Sequence, residues 1–456
     1  MIFDVRRGKM SRVALVGDNS IEYINILLDI WNAGDCAVLI DWRIPFQMAF
    51  DMMHEAGVNK CYIEQKAFDK IDVNAFPLLR FEVYRNDTIF SKELPIALYG
   101  KYHESYDNDE AVIVYSSGTT GKSKGVILSH YAISTNADSI MDYMKLTPTD
   151  CVYMIKTISH LSSITGELLV ALKNKNKLII GPTIVPPRVM LNNIQRFGVT
   201  SICVNPAILR FIVEEYERKN YDVTLLRDIY VHGAKTDEKL GKKAKKMFTN
   251  CNIYYEYGLT EAGPRVSSQK VNESHNLSVG IPISGVELAI INEDGTPVLD
   301  GMRGTIHVNT PSRCSGYVVG EEKHKSLYKG WLNTGDIGLI DENKELHIID
   351  RVDDMIVIDA HKVYPMDIER LILEDDQILD CSVSKCTYDG SELIGCLYVS
   401  DVECTIDIIH RLKKSLMQYE IPKRFVKSAY IPHNQHGKVD KKEVAQILSN
   451  NNIRGI

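Results

Sequence analysis

The sequence predicts an α/β protein with a large N-terminal domain of parallel and mixed sheets, a small β-rich subdomain, and a small, mobile α+β C-terminal domain. Two observations support this fold class. Up to residue 256, short apolar runs alternate with amphipathic segments, a pattern typical of strand–helix–strand units in a parallel sheet. From Gly280 onward the apolar runs are short and separated by turns, which is typical of a β-rich subdomain.

The N-terminal elements follow from this alternation. Residues 12–16 predict a strand, 21–31 a helix that ends before Gly34, and 36–40 the next strand. The pattern recurs further along the chain, with strands at 111–114, 177–180, 201–204, 229–232 and 252–256, and helices near 188–197 and 237–248.

The C-terminal part begins after Asp350, where two strand–helix units are predicted. One is a strand at 355–358 leading to a helix at 367–373, and the other is a strand at 394–399 leading to a helix at 406–416. Strands at 286–291, 304–308 and 346–349 form the predicted β-rich subdomain. We therefore predict an N-terminal domain of residues 1–350 and a C-terminal domain of residues 351–456.

Composition narrows the classes of function. The 456 residues carry a net charge of −7, which argues against nucleic acid as the main partner. The sequence has no run of 18 apolar residues, so no transmembrane segment is predicted, and the N-terminus lacks a signal-peptide core. Ten cysteines without a C-x-x-C pair predict reduced, mostly buried thiols and a cytoplasmic location. A metal–cysteine site is not expected.

Residues 115–126, Tyr-Ser-Ser-Gly-Thr-Thr-Gly-Lys-Ser-Lys-Gly-Val, form the most informative segment. Glycines let the backbone approach a phosphate closely, while N–H groups, hydroxyls and lysines bind its oxygens. One alternative is the P-loop G-x-x-x-x-G-K-[ST], whose first glycine would fall on Ser116, and another is a flexible loop without a ligand. We predict a polyphosphate site formed by Ser116, Ser117, Gly118, Thr119, Thr120 and Lys124.

This segment resembles the signature Y-[ST]-S-G-T-T-G-x-P-K-G-V of the adenylate-forming superfamily, with Ser123 in place of the usual proline. The superfamily contains acyl- and aryl-CoA ligases, luciferases and the adenylation domains of peptide synthetases. Further motifs follow in the same order over about 320 residues and are most similar to those of acyl- and aryl-CoA ligases. Only residues 41–110 fit poorly, because this region is shorter than is usual in the superfamily.

The nucleotide-binding roles come from this resemblance. The segment Tyr-Glu-Tyr-Gly-Leu-Thr-Glu at 255–261 resembles Y-G-x-T-E, which implies that Tyr257 stacks on adenine, Thr260 holds phosphate and Glu261 binds Mg²⁺. Glu256 and Gly258 belong to the same predicted nucleotide site. The segment Gly233, Ala234 and Lys235 resembles one whose backbone lines the adenine and the acyl pocket.

Two later segments resemble ribose-binding motifs. Asp336, in a match to [FW]-x-x-T-G-D-x-G, would accept hydrogen bonds from both ribose hydroxyls. Arg351 would contact the ribose and phosphate, and Asp353 falls on the position of the superfamily's hinge. Ala360 replaces a glycine near which the thiol acceptor approaches.

Two catalytic side chains are implied as well. His160 falls at a position close to the reacting carboxylate, where a neutral imidazole can orient the substrate oxygen. The alternative is a histidine with a purely structural role. Lys438, in a match to the C-terminal P-x-x-x-x-G-K, would be the catalytic lysine.

The implied enzyme is an AMP-forming acid–thiol ligase. A carboxylate attacks the α-phosphorus of ATP and expels pyrophosphate, and a thiol then attacks the acyl-adenylate. The implied cofactors and partners are ATP, Mg²⁺, a small carboxylic acid, and CoA or the phosphopantetheine of an acyl or peptidyl carrier protein. The alternatives are transfer of the adenylate to an amine, an amino-acid-activating domain of the peptide-synthetase type, and a nucleotide-binding scaffold without activity.

The acid itself is not identified by the sequence. In peptide-synthetase adenylation domains an aspartate meets the α-amino group of the substrate, and residues 161–166 contain no acidic residue before Glu167. We therefore favour an acyl or aryl acid without an α-amino group. We expect Arg265 to face outward, with a pairing to a polar substrate group as the alternative. The basic run 240–246 predicts a solvated helix face, with docking of an acidic carrier protein as the alternative.

Overall fold

A computed structural model describes residues 10–71, 79–88, 90–117, 123–234, 238–271, 278–319, 327–328, 330–358, 361–433 and 439–450. These residues form large mixed sheets and helices, which confirms the predicted α/β fold class. The chain divides into unit 1 (Met1–Ala289, His307–Thr334, Lys344–Leu346) and unit 2 (Ile290–Ile306, Gly335–Asn343, His347–Ile456). The domain boundary between residues 350 and 351 stays a prediction.

The first elements alternate as the sequence predicts. Two helices begin at side-chain caps, because Ser20 Oγ accepts from Tyr23 N and Ser129 Oγ accepts from Ala132 N. The strands are β1 (Arg12–Gly17), β2 (Cys36–Asp41), β3 (Lys60–Glu64), β4 (Arg80–Tyr84), β5 (Lys92–Glu93), β6 (Glu110–Ser117) and β7 (Ser123–Ser129). The helices are α1 (Ile21–Asn32), α2 (Phe46–Glu55), α3 (Gln65–Phe68), α4 (Ile96–Tyr99) and α5 (His130–Met144).

The next elements contain a second series of strand–helix units. Helices α8 and α9 begin with proline, whose missing N–H is not needed at the first helical position. The strands are β8 (Cys151–Met154), β9 (Lys177–Ile180), β10 (Ser201–Val204), β11 (Asp228–Val231), β12 (Asn252–Tyr257) and β13 (Ser267–Lys270). The helices are α6 (Leu161–Ser163), a π-helix (Ile164–Leu169), α7 (Val170–Asn174), α8 (Pro187–Phe197), α9 (Pro206–Arg218), α10 (Glu238–Met247) and a 3₁₀ turn (Thr260–Ala262).

A strand-rich region follows, as the change of pattern after Gly280 predicts. One sheet has the strand order β15-β16-β19-β18, and β20 pairs with β19. The strands of this region are β14 (Ile281–Pro282), β15 (Glu287–Ile291), β16 (Gly304–Asn309), β17 (Gly316–Tyr317), β18 (Leu327–Tyr328), β19 (Trp331–Ile340) and β20 (Leu346–Arg351).

The C-terminal elements differ from the predicted strand–helix units. The strand at 355–358 does not begin such a unit, because β21 pairs antiparallel with β22 in a separate two-stranded sheet. The strand at 394–399 pairs antiparallel with β23, which the prediction missed, and parallel with β25. The elements are β21 (Ile356–Ile358), β22 (His361–Val363), α11 (Pro365–Leu373), β23 (Asp380–Tyr388), β24 (Ser391–Val399), α12 (Thr405–Ser415), β25 (Arg424–Ser428) and α13 (Lys441–Ser449).

Unit 1 contains two sheets. The first has the order β17-β7-β6-β2-β1-β3-β4, with parallel pairing from β6 to β4. The second has the order β14-β13-β12-β11-β10-β8-β9-β5, with parallel pairing from β12 to β9. One apolar core joins the two sheets through α5 and the π-helix, and its members include Val112, Ile140, Val152 and Leu168.

Two further observations concern the whole-chain expectations. All ten cysteines are free and nine of them are buried, as the sequence predicts. Within the described part of the chain, every helix is too short or too polar to cross a membrane.

The strand that precedes the predicted phosphate loop provides a stability test. Ile113 lies in the middle of β6, is fully buried, and is paired with Val38 on one side and Ile127 on the other. Replacing Ile113 by Ala should lower the free energy of unfolding by about 2–5 kcal/mol, because a cavity remains where the side chain was. Urea unfolding measures the change. Val83→Ala in the terminal strand β4, where Val83 is 40% exposed, should cost less than about 1 kcal/mol, and equal costs would contradict the assignment.

Candidate functional site

The two ends of the predicted phosphate segment lie on paired strands. Strands β6 and β7 pair antiparallel, with Ser116 opposite Lys124 and Ser117 opposite Ser123. The hairpin therefore brings Ser116 and Lys124 to the same end of the sheet. Gly118, Thr119 and Thr120 lie outside the described residues. A P-loop passes from a strand into a helix, so the pairing with β7 excludes the P-loop alternative.

Tyr317 connects this hairpin to the predicted metal ligand. It lies in β17, which pairs antiparallel with β7 and sets Tyr317 opposite Val126. The Tyr317 ring centroid is 5.8 Å from Lys124 Nζ, and its hydroxyl donates to Glu261 Oε1 at 3.2 Å. The two predicted ligands of the triphosphate and its metal thus share one neighbour. Tyr317 is not among the residues that the sequence predicts for the site, because a two-residue strand gives no periodic signal.

Two other predicted segments lie at the ends of neighbouring strands. Strands β11 and β12 are parallel and pair Val231 with Tyr255, so Gly233 and Tyr257 follow at the same edge of the sheet. Gly233 has a φ of +92°, which favours glycine. A Cβ on Gly258 would lie 1.7 Å from the carbonyl oxygen of Pro264, so only glycine fits there. Ala234 is exposed, and Lys235 lies outside the described residues.

His160 is half-buried at the start of α6. Burial first, and then the charges of Arg265, Lys156 and His160, hold the pKa of His232 well below its usual value. Thr260 opens the 3₁₀ turn that also carries Glu261.

Five ionisable side chains, which we call the ionic cluster, are buried beside these segments. Each is at most 8% exposed. Lys156 Nζ lies 2.7 Å from His232 Nε2 and 3.7 Å from Glu167 Oε2. Arg265 Nε lies 2.7 Å from Glu256 Oε2, although the angle is not that of a hydrogen bond. The members are Lys156, Glu167, His232, Glu256 and Arg265.

The position of Arg265 corrects one expectation. Arg265 does not face outward, since it is 2% exposed and paired with Glu256. Its backbone is also bonded to α5, because Asn136 Nδ2 donates to the Arg265 carbonyl at 3.1 Å. A buried carboxylate requires a cation or strong donors, and Arg265 together with the Tyr143 hydroxyl supplies them to Glu256. Glu256, predicted to contact the nucleotide, is thus held within the cluster.

Burial shifts the pKa values of three members of the cluster. It raises the pKa of Glu167 to about 7, against the opposing charge of Lys156, and it raises the pKa of Glu256. It lowers the pKa of Lys156. All three shifts have the same cause, since a charge loses its hydration in the interior.

Unit 2 contains the two residues predicted to hold the ribose. Arg351 Nη1 lies 3.0 Å from Asp336 Oδ1, so the structure brings these side chains together. Asp336 is buried and Arg351 is half-buried. Asp353 is exposed in the turn that follows β20, while Ala360 and Lys438 lie outside the described residues.

Known proteins resemble this chain over nearly its whole length. A family model described as AMP-binding enzyme matches residues 4–318. A 2-succinylbenzoate–CoA ligase of Bacillus cereus is 27% identical over 97% of this chain and 89% of its own. ATP-bound MatB from Rhodopseudomonas palustris superposes with a TM-score of 0.84 at 22% identity, over 97% of this chain and 90% of its own. O-succinylbenzoate coenzyme A synthetase from Bacillus subtilis, in complex with AMP, superposes with a TM-score of 0.80 at 20% identity, over 95% and 88%.

Loss of Arg265 tests the buried ion pair. Arg265→Met should lower the free energy of unfolding by about 3–5 kcal/mol, because Glu256 is left buried without its cation. Combining it with Glu256→Gln should cost less than the sum of the single changes. Lys243→Met removes an exposed pair with Glu217 and should cost less than about 1 kcal/mol. Urea unfolding of the four variants gives the comparison, and equal costs for Arg265→Met and Lys243→Met would rule out the buried pair.

Glu167 should make stability fall as the pH rises. Between pH 4.5 and about 7 the folded protein keeps the Glu167 proton that the unfolded chain loses. The unfolded state binds fewer protons in this window, so the free energy of unfolding decreases with pH, by about 1–3 kcal/mol. Glu167→Gln should remove this decrease. Unfolding midpoints measured at pH 5, 6 and 7 test it, and parallel profiles for the two proteins would contradict it.

Proposed function

The chain belongs to the AMP-binding enzyme family, and we propose that it activates a carboxylic acid with ATP and transfers the acyl group to the thiol of CoA. The contact of Tyr317 with both Lys124 and Glu261 carries the proposal. It brings a cation and a carboxylate to the same tyrosine, as the binding of a metal–triphosphate requires. Relatives named as CoA ligases support the choice of CoA as the acceptor.

Glu261 fits a Mg²⁺ ligand. Mg²⁺ prefers oxygen ligands and keeps water and substrate phosphate in its shell. The Glu261 carboxylate is half-buried and receives one bond from Tyr317, which leaves lone pairs for a metal. When bound there, Mg²⁺ would neutralise charge as the carboxylate approaches the α-phosphorus.

In the first half-reaction two anions meet, so the protein must position them and balance their charge. Thr260 and the 116–124 segment, which includes Lys124, bind the phosphates, and Tyr257 stacks on the adenine beside the 233–235 segment. Asp336 and Arg351 bind the ribose. His160 orients the substrate carboxylate, and Lys438 stabilises the charge that develops as pyrophosphate leaves.

In the second half-reaction a thiol attacks the carbonyl carbon of the acyl-adenylate, and AMP leaves. The C-terminal domain, residues 351–456, rotates about Asp353 between the halves, so one site serves two reactions. A carrier-protein phosphopantetheine is the alternative acceptor, and Ala360 alters the approach of either thiol. A cytoplasmic location completes the proposal.

Pyrophosphate release tests the proposal directly. The full-length protein is assayed with ATP, Mg²⁺ and a panel of fatty, aryl and amino acids, with and without CoA. We expect release with one class of acid, and formation of its CoA thioester when CoA is added. Glu261→Gln should lose activity, while the exposed control Glu287→Gln should keep it. No release with any acid would reject the activity, and transfer only to amines would reject the thiol acceptor.

Lys438→Ala should lower the rate of acyl-adenylate formation by about 10²–10³-fold, because a donor to the developing charge is lost. ATP affinity should change little, since the other phosphate ligands remain. Single-turnover adenylation and ATP titration separate the two effects. Undiminished adenylation would remove Lys438 from its role.

Asp353→Pro should spare adenylation and impair thioester formation, because proline restricts the backbone that must rotate between the halves. Each half-reaction is measured separately, by pyrophosphate release and by consumption of preformed acyl-adenylate with CoA. An equal loss in both would argue against a hinge at this residue.

A further inference from the structure

The ionic cluster lies beside the proposed acid site. Lys156 precedes His160 by four residues, and its Nζ donates to the Ser162 hydroxyl at 3.2 Å, two residues beyond His160. His232 directly precedes Gly233, and Glu256 directly precedes Tyr257. Each of these segments thus has a buried ionisable side chain within it or next to it.

Most polar groups of the cluster have partners. Lys156 donates toward His232 and Ser162, and Glu256 is held by Arg265 and the Tyr143 hydroxyl. These contacts account for the positive charges. They provide no hydrogen-bond donor to Glu167.

Glu167 differs from Glu256, which accepts a hydrogen bond from the Tyr143 hydroxyl. Glu167 is 0% exposed, and neither carboxylate oxygen has a hydrogen-bond donor among the residues that the structure describes. Lys156 Nζ, at 3.7 Å, is beyond hydrogen-bond distance. The buried Ser163 hydroxyl, four residues before Glu167, makes no hydrogen bond within the described part of the chain, although it is close enough to oppose the rise of the Glu167 pKa. Buried polar groups normally have partners, so the two carboxylate oxygens of Glu167 call for a donor that comes from outside the chain.

The local backbone supports a binding role. Glu167 lies on the π-helix Ile164–Leu169, and π-helical turns occur frequently at functional sites. The preceding Gly166 has no side chain, and a Cβ there would lie 3.0 Å from Arg265 Nη2. The backbone at Gly166 therefore approaches Arg265 closely, while the Glu167 oxygens are without a hydrogen-bond donor within the described part of the chain.

We propose that Glu167 and Ser163 bind a hydrogen-bond donor, a hydroxyl or amino group, on the acid substrate. The substrate class is then a carboxylic acid that carries this second polar group away from its reacting carboxylate. The inference rests on the proposed function and deepens it. Lys156 is a positioning residue, since its charge favours the ionised form of Glu167.

The test uses matched acids that differ only by the polar group. Benzoate is compared with its hydroxy and amino derivatives, and butyrate with its hydroxy and amino derivatives, by kcat/KM for pyrophosphate release. One substituted acid should exceed its parent by about 10- to 100-fold, as expected for a hydrogen bond to a charged group. Glu167→Gln should reduce this preference, because kcat/KM should fall more for the substituted acid than for its parent. A larger loss for amino than for hydroxy acids would identify the amino group as the donor.

Controls keep the test decisive. Asp150→Asn changes another buried acid, which is paired with Arg227 at 2.9 Å, and should leave the preference intact. Ser163→Ala provides a smaller change at the same place if Glu167→Gln fails to fold. Equal use of substituted and parent acids, or an equal loss for all acids in Glu167→Gln, would overturn the inference. Calorimetry measures the binding of the same acids without ATP, so it tests the inference even if no acid releases pyrophosphate. The absence of pyrophosphate release would reject only the proposed function.

Discussion

The antiparallel pairing of β6 with β7 is the constraint on which the site depends. It reverses the chain directly after a buried strand and sets Ser116 opposite Lys124. The same strand β7 pairs with β17 and thereby brings Tyr317 to Glu261 from a distant part of the sequence. Strand pairing therefore brings together Lys124, Tyr317 and Glu261, which are far apart in the sequence.

The ionic cluster shows a different use of the interior. Two cations and two carboxylates are buried beside the segments that the proposed function assigns to adenine and acid. Burying charge costs several kcal/mol per ion. The close Arg265–Glu256 pair offsets this cost, whereas Lys156 and Glu167, which are 3.7 Å apart, are too far apart to offset it. Stability alone does not explain such an arrangement, whereas the proposed selection among acids does.

Local periodicity predicted the secondary structure well where a continuous apolar run by itself indicates a buried strand. The predicted strands at 177–180 and 201–204 agree with β9 and β10 residue for residue. The prediction failed where pairing decides the structure. Strand β22 has only three residues, and the polar side chains of β23 hide its alternation. The burial of Arg265 could not be predicted, because its partner Glu256 lies on another element. A local sequence pattern does not show which elements come together in space. The roles of the predicted site residues came from motif order, and stay predictions.

The π-helix has a consequence for how this protein can diverge. Removing one residue from Ile164–Leu169 would convert the wide turn into an ordinary α-helix. Each residue of an α-helix turns the chain by about 100°, so the carboxylate now at Glu167 would swing to another side while both sheets kept their pairing. A single-codon insertion or deletion, rather than a substitution, is thus the shortest evolutionary route to a relative with a different substrate preference.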